Sequence, residues 1–177
     1  MKSVLAGVIV AMALTAPAWA ALKPGTVAPD FSVKAALGGK DFDFNLKTAL
    51  KKGPVVLYFF PAAFTPGCTA EAHAFAEATD DFVKQGATLI GVTAGNIDRV
   101  TEFSKVECRD KFPVAADPGA KIASSYDSSF TLKPGWSDRT SYVIGQDGKI
   151  VYAYSDLNPA DHVKNTMAAV VALKTKG

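Results

Sequence analysis

Two short apolar runs, each followed by a segment with helical spacing, dominate the pattern of the chain. Residues 55–60 are six consecutive apolar side chains, and Pro61 closes the run. A run this short and rich in β-branched and aromatic residues predicts a strand buried on both faces, ending at Pro61. Residues 88–93 predict a second buried strand of the same kind.

The segment after each of these strands has the spacing of an amphipathic helix. Between residues 68 and 85, apolar side chains recur three or four positions apart, and Gly86 follows the last turn. Residues 96–106 repeat this spacing and predict a helix. The order strand, helix, strand, helix is typical of an α/β fold.

Outside these segments, the chain predicts a short strand at residues 31–33, an extended piece at 112–114, a short helix over 120–126, a hairpin and a final helix. Residues 141–144 and 150–154 are apolar runs joined through Asp147-Gly148, a strong hairpin signal. Asn158 and Pro159 then fit the N-cap and first position of a helix that ends near residue 173. The elements together predict an α/β domain whose central mixed sheet is covered by helices on both faces.

The first twenty residues follow a different pattern. Lys2 precedes an apolar run over residues 4–14, and Ala18-Trp19-Ala20 ends the segment with a small-x-small sequence. This pattern predicts a secretory signal peptide over residues 1–20, which leaves residues 21–177 as a single domain. A membrane anchor is the alternative, but it would need about 20 apolar residues. We therefore expect an exported, periplasmic protein in a compartment that permits disulfides.

Composition narrows the functional classes. Of the 177 residues, 49% are hydrophobic and the formal net charge is +2, so the chain can bury a core. It has no charged run that favours nucleic acid or an anionic membrane. With two cysteines and two histidines, it does not fit zinc fingers, all-cysteine iron–sulfur clusters or disulfide-dense scaffolds. We expect no cofactor and no metal, and any sulfur chemistry depends on Cys68 and Cys108.

Cys68 lies where the predicted helix begins, just beyond the first buried strand. The unpaired N–H groups and the positive dipole end of a helix N-terminus stabilise a thiolate. Thr65 belongs to the same turn and can direct a hydroxyl at the sulfur, while Pro61 and Pro66 stiffen the loop. The residues alone leave two interpretations open, a reactive nucleophile and an unreactive buried cysteine.

The sequence around Cys68 resembles the signature of the peroxiredoxins. Residues 61–68 read Pro-Ala-Ala-Phe-Thr-Pro-Gly-Cys, and the continuation Thr-x-Glu is most similar to the branch called bacterioferritin comigratory protein or peroxiredoxin Q. Residues 28–31, 114–118 and 139–150 match further family landmarks in the same order. The resemblance covers nearly all of the chain after residue 28 and implies a thioredoxin-like fold.

Membership of this family would assign roles to individual residues. Cys68 would be the nucleophile that attacks the O–O bond of a peroxide, and Thr65 would hydrogen-bond that peroxide. Arg139 would hold the thiolate, because a guanidinium is permanently charged and has several donors. Glu71 would orient Arg139, and Pro61 would shield the pocket. The resemblance also implies a peroxide substrate, an external thiol or dithiol protein as reductant, and a monomer or homodimer.

The sequence departs from the branch at the position of the resolving cysteine. Many members carry that cysteine five residues after the nucleophile, where this chain has His73. Cys108 is then the candidate resolving residue, since some members place theirs on the later helix. A one-cysteine peroxidase with Cys108 as a bystander and a permanent Cys68–Cys108 bond are the alternatives. We expect His73 and His162 to be solvent-exposed.

Other functions on this fold need residues that the chain lacks. A thiol–disulfide exchanger needs Cys-x-x-Cys, but Cys68 is followed by Thr-Ala-Glu. A copper-delivery protein needs a close cysteine pair and a histidine. A non-enzymatic binding or chaperone protein would not need Thr65, Cys68 and Arg139 together.

Overall fold

The computed structural model describes residues 21–175, so the predicted signal peptide over residues 1–20 lies outside the described residues. The described chain forms a seven-stranded sheet in the order β2-β1-β5-β4-β3-β6-β7. The strands are β1 (Ser32–Leu37), β2 (Lys40–Asn45), β3 (Val55–Ala62), β4 (Thr88–Gly95), β5 (Val114–Ala116), β6 (Thr140–Ile144) and β7 (Ile150–Ser155).

Five α-helices connect or cover these strands in the described part of the chain. They are α1 (Leu46–Leu50), α2 (Pro66–Lys84), α3 (Val100–Val106), α4 (Lys121–Ser125) and α5 (His162–Lys174). Short 3-10 turns, Ile97–Arg99 and Pro159–Asp161, lead into α3 and α5. None of the helices between residues 21 and 175 has the length and apolar character of a membrane span.

The central strand β3 makes the sheet mixed. It pairs in parallel with β4 and antiparallel with β6, while β4 and β5 are parallel. The β1–β2 and β6–β7 pairs are antiparallel, and β1 also runs antiparallel to β5. The predicted mixed sheet of an α/β fold is therefore confirmed.

Alternate residues of β3 point to opposite faces of the sheet and build two apolar cores. Leu57 and Phe59 pack on the face that α1 and α4 cover. Tyr58 and Phe60 pack on the other face, beneath α2, α3 and α5. Both faces of residues 55–60 are buried, as the apolar run predicted, because helices cover the sheet on both sides.

Two elements near the N-terminus have no counterpart in the sequence-based prediction. The edge strand β2 has the sequence Lys-Asp-Phe-Asp-Phe-Asn, with only two apolar residues and mostly exposed positions. Helix α1 has five residues and depends on its cap, since Asn45 Oδ1 accepts a hydrogen bond from Thr48 N at 2.8 Å. Neither segment contains an apolar run long enough to predict an element.

The predicted end of the first buried strand at Pro61 is wrong. Strand β3 continues to Ala62, which pairs with Gly95 of β4. On the other side of β3, the pairing with β6 ends at Phe59. No hydrogen bond to β6 is therefore lost because Pro61 lacks an N–H. Proline is therefore tolerated within the strand.

Three helix starts also differ from the prediction. Helix α2 begins at Pro66, two residues before Cys68, because proline fits a first helical position whose N–H is unpaired anyway. The predicted helix over residues 96–106 differs at its start, since Asn96 is left-handed with φ 52° and a 3-10 turn precedes α3. Asn158 caps the last helical segment as predicted, but regular α5 starts only at His162.

Tyr58 and Tyr142 are two buried tyrosines that differ in whether the hydroxyl is hydrogen-bonded. Both are buried, at 1% and 0% exposure. The Tyr58 ring stacks on Phe75 at 4.4 Å between centroids, but its hydroxyl has no hydrogen-bond partner within residues 21–175. The Tyr142 hydroxyl donates to Tyr126 O and accepts from Leu22 N at 3.1 Å.

We expect Tyr58→Phe to raise the free energy of unfolding by about 1 kcal/mol, because it removes a buried hydroxyl without a partner. The same change at Tyr142 should lower it by about 1–2 kcal/mol, because Tyr126 O and Leu22 N would lose their partner. Denaturant unfolding of both variants measures the two effects. Equal destabilisation by both substitutions would contradict the structure.

Candidate active site

Cys68 occupies the third helical position of α2, at the end of the loop that leaves β3. The side chain is 1% exposed, and the N–H groups of the first helical turn have no intrahelical acceptor. Thr65 is the N-cap, yet its hydroxyl does not cap the helix and instead donates to Ala62 O at 3.1 Å. The Thr65 oxygen therefore keeps its lone pairs for another donor.

The loop before Cys68 is held by residues that sequence reasoning missed. Phe64 is left-handed, with φ 60°, and its ring packs against Phe103 with 5.2 Å between centroids. The Arg99 guanidinium carbon lies 3.8 Å from the centre of the Phe64 ring. Asn96 Nδ2 donates to Ala63 O at 2.8 Å. The turn after β4 therefore fixes the loop after β3.

Two glycines allow the close approaches at this site. A Cβ on Gly67 would lie 3.2 Å from Arg139 Nη2, so a side chain there would press on the guanidinium. A Cβ on Gly95 would collide with Pro61 O and come within 3.0 Å of the Trp136 ring. Gly67 belongs to the quoted sequence, but no signal in the sequence distinguished Gly95 from other turn glycines.

Arg139, just before β6, directs each end of its guanidinium at a specific acceptor. Nη2 donates to Cys68 Sγ at 3.5 Å, and Nη1 donates to Glu71 Oε2 in a buried hydrogen bond. Nε donates to Leu157 O at 2.8 Å. Burial works against the charge of Arg139, but the neighbouring Glu71 and Cys68 outweigh it, and the pKa of the guanidinium is raised.

Glu71 lies one turn after Cys68 on α2 and is fully buried. Burial raises the pKa of Glu71 to about 8, although Arg139 opposes the shift. Its Oε1 atom has no hydrogen-bond partner among the described residues and lies 3.6 Å from His162 Nδ1. Glu71 therefore has one oxygen on Arg139 and one facing His162.

The prediction that His162 is solvent-exposed is wrong. Its ring is fully buried, with Nε2 2.9 Å from Asp156 O and Nδ1 2.8 Å from Ser141 Oγ. Helix α5 packs over β6 and β7, and the first residue of the helix faces them. The sequence gives no sign of this, because a histidine in a first helical turn has the same local pattern in either environment.

Cys108 follows α3 and is fully buried, and its N–H donates to Phe103 O at 3.0 Å. Burial raises the pKa of its thiol, and the neighbouring Glu107 adds to the effect. Cys108 and Cys68 are free thiols in the same apolar cluster as Tyr58. The two sulfurs therefore belong to one core but to different elements.

Three ion pairs connect the segment around Cys108 to α2. They are Glu107–His73 at 2.7 Å, Arg109–Glu77 at 3.1 Å and Lys111–Asp80 at 3.2 Å. The His73 side chain is 36% exposed, so its predicted solvent exposure holds only in part. His73 occupies the position of a local resolving cysteine but contacts the segment that carries Cys108.

The structure thus brings Cys68, Thr65, Arg139 and Glu71 to one place, with Pro61 at the start of the loop and Cys108 in the adjoining core. In residues 21–175, no cluster of three or more His, Cys, Asp or Glu side chains could hold a metal ion. What the arrangement supplies is a buried sulfur at a helix N-terminus beside a guanidinium, on a thioredoxin-like sheet. These are features of a reactive cysteine.

The chain belongs to the AhpC/TSA family, the peroxiredoxins, and the family model matches residues 24–153. It is 30% identical over 150 residues to the chloroplastic peroxiredoxin Q of Oryza sativa subsp. japonica, an alignment that covers 84% of this chain and 67% of that protein. A putative peroxiredoxin of Mycobacterium tuberculosis (strain ATCC 25618 / H37Rv) is 29% identical over 157 residues, 87% of this chain and 99% of the relative.

Solved structures agree with this assignment. The crystal structure of peroxidoxin BcpB from Mycobacterium tuberculosis superposes with a TM-score of 0.77 at 28% identity, covering 86% of this chain and 98% of that one. A reduced 2-Cys peroxiredoxin of Plasmodium vivax gives a TM-score of 0.75 at 22% identity, covering 86% and 97%. The second likeness shows the fold alone. The chain is thus a thiol peroxidase with a thioredoxin-like peroxiredoxin fold.

We expect the stability of the protein to decrease with pH through Glu71. Its pKa is about 8 in the folded chain against an ordinary value of 4.5, so its contribution is full below pH 4.5 and is lost as pH rises towards 8. Relative to Glu71→Gln, the wild-type free energy of unfolding should fall by about 1.4 kcal/mol per pH unit in this window. Denaturant titrations at several pH values measure the difference.

Glu77→Gln is the matched control, because Glu77 lies on the same helix with a side chain that is 70% exposed. The difference in free energy of unfolding between Glu77→Gln and wild type should change little with pH. If the Glu71→Gln curve runs parallel to that of wild type, Glu71 is not protonated on burial.

Proposed function

We propose that the chain reduces hydrogen peroxide and organic hydroperoxides with Cys68 as the nucleophile. The thiolate attacks one peroxide oxygen, the O–O bond breaks, and Cys68 becomes a sulfenic acid. The other oxygen leaves as hydroxide or alkoxide and takes a proton to become water or an alcohol. The contact of Cys68 Sγ with Arg139 Nη2 at 3.5 Å, at a helix N-terminus, carries this proposal.

The surrounding groups suit the charge that moves along the O–O bond. Arg139 faces the sulfur and would stabilise both the thiolate and the leaving oxygen. The N–H groups of Gly67 and Cys68 have no intrahelical acceptor and would bind the peroxide oxygens. Thr65 Oγ1 already donates to Ala62 O, so it would accept the hydrogen bond of the peroxide O–H. Pro61 would shape the pocket wall.

We further propose that Cys108 resolves the sulfenic acid. Cys108 Sγ attacks Cys68 Sγ, a disulfide forms, and the sulfenic oxygen leaves as water. An external thiol or dithiol protein then reduces the disulfide. Both thiols are free, and Cys68 is engaged with Arg139 in the first turn of α2. A disulfide has a narrow geometry of its own, so we expect this turn to unwind before the bond forms.

Residues 1–20 support one more proposal, that the protein is exported to the periplasm. Their pattern is that of a secretory signal peptide. The reductant would then be a thiol or dithiol protein of that compartment, and the enzyme would act as a monomer or homodimer.

The role of Cys68 is tested by treating the reduced protein with hydrogen peroxide and a sulfenic-acid reagent. We expect peroxide loss and an adduct on Cys68 within seconds to minutes, and neither in Cys68→Ser. Intact-mass measurement counts the adducts, and Cys108→Ser, in which Cys68 is the remaining cysteine, assigns the adduct to Cys68. No adduct and no peroxide loss in the wild type would favour a non-enzymatic binding or chaperone protein.

The resolving role is tested by Cys108→Ser. We expect this variant to consume one equivalent of peroxide at the wild-type rate, which also reports that the site is folded. Steady turnover with a dithiol protein reductant should collapse, because the Cys68 sulfenic acid has no internal partner. Unchanged steady turnover would instead establish a one-cysteine peroxidase with Cys108 as a bystander.

A further inference from the structure

Two hydrogen-bond acceptors face each other behind Arg139. His162 Nε2 lies 2.9 Å from the carbonyl oxygen of Asp156, which can only accept, so Nε2 carries a proton. In the neutral ring, Nδ1 is then an acceptor that faces Ser141 Oγ at 2.8 Å and Glu71 Oε1 at 3.6 Å. Glu71 Oε1 is buried and has no donor among the residues described. Without a proton between Glu71 Oε1 and His162 Nδ1, this buried oxygen would have no hydrogen bond.

The charges of Cys68, Glu71 and Arg139 also indicate that Glu71 and His162 hold a proton. With Cys68 as a thiolate and Glu71 as a carboxylate, two negative charges would face the single positive charge of Arg139. All three side chains are buried, and an uncompensated charge in such a place is costly. One proton on the pair formed by Glu71 and His162 brings the sum of charges to zero.

We propose that Glu71 and His162 hold one proton between Oε1 and Nδ1 while Cys68 is a thiolate, so that the charge of Arg139 is left to the sulfur. His162 is then a positioning residue that acts through Glu71 and Arg139. The proposal rests on the proposed role of Cys68. When the thiol ionises it loses one proton and the pair holds one, so the cluster stays neutral. Protonation of the leaving hydroxide or alkoxide consumes one proton.

The groups around His162 favour a proton on the Glu71 side. Burial raises the pKa of Glu71 and lowers the pKa of His162. Arg139 lowers the pKa of both residues, while the backbone hydrogen bond and charge of Asp156 raise that of His162. Titratable and polar groups face the His162 ring from every element packed against it. Glu71 comes from α2, Arg139 from the residue before β6, and Ser141 from β6 itself. Tyr154 of β7 lies 4.8 Å away between ring centroids, and Asp156 and Asp161 precede α5.

His162→Gln in a Cys108→Ser background tests the role of Nδ1. The glutamine amide can still donate to Asp156 O but has no group at the position of Nδ1. Without Nδ1, the protonated form of Glu71 would lose the acceptor for its O–H, so the carboxylate would form more readily and would compete with the thiolate for Arg139. We expect the first oxidation by peroxide to be about tenfold slower at neutral pH, with its pH profile displaced about one unit to the alkaline side.

Thr166→Ala is the matched control, because Thr166 is a buried polar residue of α5 whose hydroxyl donates to the backbone carbonyls of His162 and Val163 and not to the His162 ring. It should change the rate by less than about twofold. His162→Gln in a Glu71→Gln background should likewise have less than about a twofold effect, since a neutral amide needs no shared proton. A wild-type rate and pH profile in His162→Gln would overturn the proposal, and so would a tenfold loss that persists beside Glu71→Gln.

A spectroscopic measurement keeps the proposal testable if His162→Gln does not fold. Infrared spectra of the reduced wild type at neutral pH should show a carboxylic-acid band that Glu71→Gln removes and Cys68→Ser weakens. Nitrogen NMR would show a doubly protonated His162 ring if the proton sits there instead. The absence of both signals would overturn the proposal, whereas failure of the proposed function would appear as no peroxide loss and no sulfenic acid in Cys108→Ser.

Discussion

The site depends on one constraint, that a buried guanidinium must have its donors paired. Arg139 meets it with one acceptor for each nitrogen: Glu71 Oε2 on Nη1, the carbonyl of Leu157 on Nε and the sulfur of Cys68 on Nη2. Removing one partner of a buried charge costs several kcal/mol, typically about 3–5. The positions of α2, of the segment before α5 and of the start of β6 are therefore linked through one side chain. Cys68 supplies the acceptor that Nη2 of Arg139 faces.

The same linkage explains why residues that do not touch the sulfur matter to it. Arg139 can approach α2 because Gly67 has no side chain, and the loop before α2 lies close to β4 because Gly95 has none. Asn96 then fixes that loop through Ala63 O. The loop carries a left-handed Phe64, a conformation that the packing of its ring against Phe103 and Arg99 supports.

The parts of the structure that sequence analysis predicted are those with a strong local pattern. The apolar run of β3, the Asp147-Gly148 hairpin and the start of a helix close to Cys68 depend on residues that are near in sequence. The buried His162 depends on how α5 lies across β6 and β7, which its own turn does not encode. Likewise, β2 lies at the sheet edge with mostly exposed residues, so it has no apolar run to mark it.

The energetics of the Cys108 segment follow from comparing its polar and apolar contacts. Ion pairs between exposed side chains contribute about 0–1 kcal/mol each, and two of the three that connect this segment to α2 are of that kind. Burying a side chain the size of Phe103 or Phe112 contributes about 1.5–3 kcal/mol. The apolar core around Cys108 therefore outweighs the ion pairs in holding the segment closed. Any reaction that brings Cys108 to Cys68 must disturb that core, so the packing of the two phenylalanines, more than the surface charges, sets the free energy of the opening.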